Sequence, residues 1–357
     1  MFKNSSPVAQ ASRLWQYSNT PASFSLNSTY ILFLALALGI TSCTSPQQTA
    51  TQTPNTTATT SPTTAISTKP KVVATTSVIC DITQEIAQNT IDLTCLIPAG
   101  TDPHVYQPKP SDRKVIEQAK LILYSGYGFE PDLIKLVKAT QNSITKVAVS
   151  EIAVPKPLAG EANKHQAQHE DRELDPHVWH NAQNGIRMVE VVRDNLKQIS
   201  PDNTTQYISN ANKMTKELTQ IDSWIKSQIS TIPANQRKLV TTHDAMGYYA
   251  AAYGIPIEGA LQGISTEEKP TAGRVKELVQ EIKQTGVPTI FAEATVNPKL
   301  IETVAREAQV KVSAQKVFAD GLGEKGTDAD TYEKMLIANT KAIVEGLGGK
   351  YVSFEAK

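Results

Sequence analysis

The chain has 357 residues, enough for two domains of ordinary size with real hydrophobic cores. Lys plus Arg and Asp plus Glu each total 35, so the formal charge is zero and there is no bulk electrostatic case for a nucleic-acid or acidic-polymer partner. Aromatics make up only 6% and no basic, aromatic-interleaved patch occurs, which leaves a globular body with something attached at its front.

That front is "TYILFLALALGITSC", residues 29–43. Its apolar core is short for a permanent bilayer span but suits the h-region of a secretory signal, with Lys3 and Arg13 supplying positive charge before it. The closing "ITSC" is similar to a bacterial lipobox, which makes Cys43 the expected lipidation site and mature N-terminus. An uncleaved anchor is the alternative, and either reading exports the body to the periplasm or the outer face of the cytoplasmic membrane. The following segment is Thr-, Ser-, Pro- and Gln-rich with little to bury, and is expected to be a flexible tether. The expected organisation is therefore a signal over 1–43, a tether over 44–70 and a folded body from residue 71. Cys80 and Cys95 remain in that body, and in an oxidising compartment they form either one disulfide or two buried thiols.

In the body, short apolar runs alternate with helical patterns. "KVVATT" reads as a buried strand and "SVICDITQEIAQ" as a helix, with "KLILYSG" and "KVAVSE" as further strands. After residue 237 the alternation returns with "KLVTT", "IPIEG", "VPTIFAE" and "VKVSAQ". Between these, "TAGRVKELVQEIKQTG" places Val275, Leu278, Val279 and Ile282 on one helical face, and "NPKLIETVAREAQ" begins with an Asn-Pro helix start. Such alternation predicts parallel α/β sheets. The middle differs: residues 201–231 read as one long helix without Gly or internal Pro. The expected architecture is an N-terminal α/β lobe over 71–200, a linking helix over 201–232 and a C-terminal α/β lobe over 233–349, against the alternative of one long crossover helix in a single domain.

Ligands of open α/β sheets bind beyond the carboxyl ends of the strands. Polar donors just after apolar runs are therefore the candidates. "LTCLIPAGTDPH" reaches His104; "DPHVWH" carries His177, with His180 one helical turn on; "KLVTTHDAMGYY" puts His243 directly after a strand; "VKVSAQKVFADGLGEKG" puts Asp320 before a glycine-rich turn. Three imidazoles and one carboxylate suit a first-row divalent cation. His165 and His169 lie in the polar run "GEANKHQAQHEDRELD", read mainly as a solvated loop and otherwise as a weak metal scavenger.

The segments "GTDPHVYQPKPSD", "DPHVWHNAQN", "LVTTHDAMGYYAAAYG", "LQGISTEEKPTAG" and "VFADGLGEKGTDADTYEKML" occur in this order. In them the chain resembles the metal-binding solute-binding lipoproteins of manganese and zinc ABC transporters, the cluster A-I, TroA- and ZnuA-like group, over residues 71–348. The resemblance implies two α/β lobes bridged by a rigid helix and one metal between them, held by His104, His177, His243 and Asp320. It further implies a receptor, not an enzyme, that gives Zn2+ or Mn2+ to a permease and its ATPase, as a lipid-anchored monomer with only a small closure on binding. Where this chain has His243, some members have Glu; this tilts the site towards zinc, and the short His-poor loop tilts it back, leaving the two ions even and iron open. His180 stands where many members have an apolar residue and reads as a neighbour of the site, and Glu293 in "FAEAT" either orients a histidine or serves as a buried cap or ion-pair partner. Two other functions compete with this reading. A zinc hydrolase lacks an HExxH motif, and Asp320 as a fourth ligand closes the open position it needs; an adhesin-type surface lipoprotein lacks adhesive repeats.

Overall fold

Strand β1 (Lys71–Ala74) buries Val72, Val73 and Ala74 in succession, as a strand covered on both faces must. The computed structural model describes residues 69–356 apart from 142 and 161–172, so the apolar segment ending at Cys43, the tether up to residue 68, and His165 and His169 lie outside the described residues. Helix α1 (Ser77–Ala87) lays Val78, Ile79, Ile82 and Ile86 against the sheet, and β2 (Asp92–Cys95) pairs parallel to β1. Cys80 of α1 and Cys95 at the end of β2 are joined in a disulfide, with their Cα atoms 5.7 Å apart.

Pro110 starts α2 (Pro110–Gln118) at a position where its missing amide costs nothing, and Asp112 caps the turn by accepting from the Lys109 amide at 2.7 Å. Strand β3 (Leu121–Tyr124), helix α3 (Pro131–Ala139), strand β4 (Thr145–Ala148) and the short α4 (Val149–Ala153) complete this half. The sheet order is β2-β1-β3-β4, with every ladder parallel. Helix α5 (Ala182–Ile199) follows, capped by the Asn181 side chain on the Gln183 amide.

The long helical pattern over 201–231 resolves into a 3-10 turn at Pro201–Asn203 and helix α6 (Thr204–Ser230). At 1.5 Å per residue, its 27 residues run for roughly 40 Å. Tyr207, Ala211, Met214, Leu218, Ile221, Ile225 and Ile229 form its buried stripe at three- and four-residue spacing. The helix packs on α1 and α5 of the first half and on α10 (Tyr332–Gly346) of the second, and one continuous core runs along it from Val72 to Leu347. It is therefore a girder with one buried face running its length. Residues 350–355 return to it: Trp224 Nε1 donates to the Val352 carbonyl at 3.0 Å, and the Trp224 ring meets Tyr351 and Phe354 edge-on.

The second half continues with β5 (Leu239–Thr241), α7 (Gly247–Tyr253), β6 (Ile257–Ala260), α8 (Ala272–Thr285), β7 (Thr289–Ile290), α9 (Lys299–Ala308), β8 (Lys311–Val312) and α10 (Tyr332–Gly346). Strands β5 and β6 pair in parallel, as do β7 and β8. The Phe291 amide donates to the Val240 carbonyl at 2.9 Å, and Glu293 bridges in parallel to Val317, so the two ribbons stand side by side. Leu278, Val279 and Ile282 of α8 join Ile301 and Val304 of α9 in the core of this half. This is the α/β class with parallel sheets and a long connecting helix. Among the described residues, no helix is long and apolar enough to cross a membrane.

Candidate metal centre

Two copies of the tripeptide Asp-Pro-His build half of the site. In the loop after β2, the Asp102 carboxylate accepts the backbone amide of His104 at 3.0 Å; before the 3-10 turn Val178–His180, Asp175 accepts the amide of His177 at 2.9 Å. Both are Asx turns, in which a short carboxylate closes on the amide two residues on while proline fixes φ between them. His177 thus follows only an isolated antiparallel bridge, Ala159 to Leu174, and not a sheet strand. The repeated tripeptide was the signal for these turns, and reading only its histidines missed both aspartates.

The other half comes from two strand ends. His243 follows β5 directly, with Thr241 Oγ1 donating to its carbonyl at 2.7 Å. Asp320 follows the Glu293–Val317 bridge, where Asn339 holds Phe318 by both amide and carbonyl.

These four side chains converge. Nε2 of His243, His177 and His104 lies 3.0, 3.3 and 3.6 Å from Asp320 Oδ1, and the ligand-capable atoms of all four lie within 4.8 Å of one another. His104 is 4% exposed, His177 and His243 0%, and Asp320 1%, so nothing bound among them can leave without a movement of the loops. Asp320 Oδ1 is buried with no hydrogen-bond partner. An orphaned carboxylate oxygen ringed by three imidazole nitrogens is a poor hydrogen-bonding arrangement and a good donor set for a cation.

Tautomers follow from the partners. Asp175 Oδ1 also accepts Nδ1–H of His177 at 2.9 Å, and Glu293 Oε2 accepts Nδ1–H of His243. With each proton held on Nδ1, each Nε2 lone pair points at the centre. Glu293 is fully buried and gives its other oxygen to the His243 amide at 2.8 Å, so both its oxygens are engaged and it stands behind the histidine. His180 is also fully buried, but its Nε2 donates to the Ala319 carbonyl at 2.7 Å, which turns that nitrogen away from the centre and towards the backbone that carries Asp320. Burial first, then the nearby His177, pushes its pKa down to about 4, so it stays neutral.

The electrostatics of the four-residue cluster are those of a tight charge pair. Burial opposes charge on His243, but the Asp320 and Glu293 carboxylates outweigh it and hold the imidazolium well above its ordinary range. For His177, burial is again the largest effect and again loses, here to hydrogen bonds with Asp175 and Asp320. Asp320, despite its burial, is held well below the usual carboxylate range by His243 and the two other histidines.

Further contacts tie the two halves across the site. Thr266 Oγ1 donates to Asp102 Oδ2 at 2.6 Å, Leu322 N donates to Ser77 Oγ at 3.0 Å, and the Gly100 amide donates to the Leu322 carbonyl at 3.0 Å. Gly321 is required here: a Cβ would lie 2.6 Å from Ser77 Oγ. Phe129 packs edge-on against both His104 and His177, excluding water from one side.

Residues 72–346 match the family model described as zinc-uptake complex component A, periplasmic. The "Manganese ABC transporter substrate-binding lipoprotein PsaA" of Streptococcus mitis is 35% identical over 283 residues, 77% of this chain and 88% of that protein. Its namesake in Streptococcus anginosus is 33% identical over 329 residues, 90% of this chain and 98% of that one. Among solved structures, the periplasmic zinc-binding protein TroA of Treponema pallidum superposes with a TM-score of 0.72 at 32% identity, covering 78% of this chain and 99% of TroA.

Proposed function

The chain belongs to the family of periplasmic zinc-uptake complex component A, and on that premise we propose that it holds one divalent transition-metal ion with His104, His177, His243 and Asp320. Its activity is the family's: it is the substrate-binding protein of a metal ABC importer, a receptor and not an enzyme, with the transporter's permease and ATPase as partners. One observation carries the ligand assignment. Three Nε2 atoms, two of them on rings whose proton is held on Nδ1 by Asp175 and Glu293, surround a single unpartnered carboxylate oxygen.

The cargo is Zn2+ or Mn2+. Relatives are named for manganese and a structural neighbour for zinc. Three imidazoles and a carboxylate bind zinc more tightly than manganese whatever the physiological ion, since affinity rises along the series towards copper and zinc. Delivery then depends on supply and on which loaded form the permease unloads. Each half of the molecule contributes two ligands, and α6, with one face buried along its length, limits any hinge, so loading is a local rearrangement of the His243 and Asp320 loops. The protein is exported, works as a monomer and is held to the membrane through lipid on Cys43.

Metal analysis of protein recovered from its native envelope, beside the His104→Ala and Asp320→Ala variants, tests the assignment. One equivalent in the unsubstituted protein and a deficit in both variants is expected. Stoichiometric metal retained in both variants would overturn the ligand set.

A further inference from the structure

The two oxygens of Asp320 are treated differently by their surroundings. Oδ1 faces the three imidazoles and accepts no hydrogen bond, whereas Oδ2 accepts the hydroxyl of Thr295 at 3.2 Å. Thr295 is itself anchored, because the preceding Ala294 amide donates to the Val317 carbonyl at 2.9 Å on the segment that leads to Asp320. The carboxylate is held from its backbone side as well, by His180 on the Ala319 carbonyl.

A carboxylate can give a cation one oxygen or two. To give two, it must turn so that both face the ion, and a hydroxyl already donating to one of them resists that turn. Among the described residues, no further carboxylate joins the four side chains: both oxygens of Glu293 are spent on His243, both of Asp102 on the His104 amide and Thr266, and Asp175 Oδ1 serves His177. We propose that Thr295 is a specificity-determining residue: its hydroxyl keeps Asp320 to a single donor oxygen and so closes the site at three nitrogens and one oxygen. The proposal rests on the four-ligand reading above. Four donors rich in nitrogen satisfy zinc, which is content with four-coordination, and leave manganese short of the oxygen donors it prefers. Thr295 touches no cargo; it acts through Asp320.

The test uses the folded, metal-stripped protein loaded with Co2+, whose visible absorption is strong at four-coordination and weak at higher coordination, together with competitive titrations of Zn2+ and Mn2+. Thr295→Val keeps the side-chain shape and removes the hydroxyl; Thr295→Ser restores it. The unsubstituted protein and the Ser variant are expected to give the strong cobalt band. The Val variant is expected to weaken the band and to narrow the zinc-over-manganese affinity ratio by about tenfold, the scale of one hydrogen bond to a charged group. If Val does not fold, Thr295→Ala makes the same deletion. An unchanged band and ratio in the hydroxyl-less variant overturns the proposal, and so does an equal loss of both metals, which a merely structural threonine would produce. Failure of the unsubstituted protein to take up cobalt overturns the four-ligand reading itself, a distinct result.

Discussion

Glu293 holds His243 at two points, one carboxylate oxygen on the backbone amide at 2.8 Å and the other on Nδ1–H of the ring. The first contact sets where the loop leaves β5, and the second sets which ring nitrogen carries the proton. Exchanging Glu293 for Gln keeps the size but offers one acceptor where two are needed, and turns an N–H towards either the amide or Nδ1–H. Partners of this kind are worth 10- to 100-fold in metal affinity. Glu293→Gln is therefore expected to lose roughly tenfold or more in zinc affinity against a competing chelator while keeping its helical content. Affinity equal to the parent's would remove Glu293 from the orienting role.

The pH dependence follows from the same carboxylates. Cargo must displace protons from His243 and His177, and both imidazoles hold theirs above the ordinary range. Affinity is therefore expected to begin falling at a pH above the free-imidazole value of about 6.5 and to keep falling as the pH drops. Metal-free stability runs the other way. The raised imidazoles contribute stability fully present below about pH 6.5 and lost as pH rises through their folded values. The lowered Asp320 contributes stability present above about pH 3.9 and lost as pH falls through its folded value. His180, held neutral with a pKa of about 4, works the other way below about pH 6.5, where the unfolded chain protonates it first. Melting curves with and without chelator are expected to show the metal-free form losing stability as pH rises above about 6.5, with the gap to the loaded form widening there. A metal-free melting temperature that climbs from pH 6 to 8 would contradict the charge pair.

His180 separates a strut from a ligand. Its Nε2–H is given to Ala319 and it stays neutral across the working range. His180→Leu leaves a buried carbonyl unpaired, a loss of about 1–3 kcal/mol in stability. The variant is expected to keep one equivalent of metal, bound more weakly, with the same deficit at pH 6 and pH 8. Complete loss of metal from a folded variant would make His180 a ligand.

Much of this was legible because polar residues at the ends of apolar runs are conspicuous. His243 after "KLVTT" and Asp320 after "VKVSAQKVFA" were found in that way, and the structure brings both to one centre with His104 and His177. What stayed hidden depends on distant pairing. Thr266 meets Asp102 across 164 positions, and the Tyr332 hydroxyl donates to the Trp179 carbonyl across 153; neither partner marks the other in the sequence. Strand lengths were also hidden. "VPTIFAE" is apolar for most of its length, yet only Thr289–Ile290 forms a ladder, while Phe291, Ala292 and Glu293 are buried and make only single strand-like contacts to Val240 and Val317. Burial and ladder pairing both select apolar residues, and composition does not distinguish them.

The two cysteines were likewise open in the sequence, which offered a separation and a compartment but no distance. The structure joins them across 15 positions, tying the first half of α1 to the end of β2. Closing a loop of that length removes unfolded-state entropy worth about 3 kcal/mol. Replacing both cysteines by serine is therefore expected to lower the unfolding free energy by up to about 3 kcal/mol in denaturant titrations. The His104 loop has its own support, since the Leu96 and Ile97 amides donate to the Ala74 and Thr75 carbonyls at 3.0 and 2.9 Å and Asp102 holds the His104 amide. Metal stoichiometry of the double variant is accordingly expected to stay at one. A folded double variant that has lost its metal would show that the bridge, and not the Asx turn, positions His104.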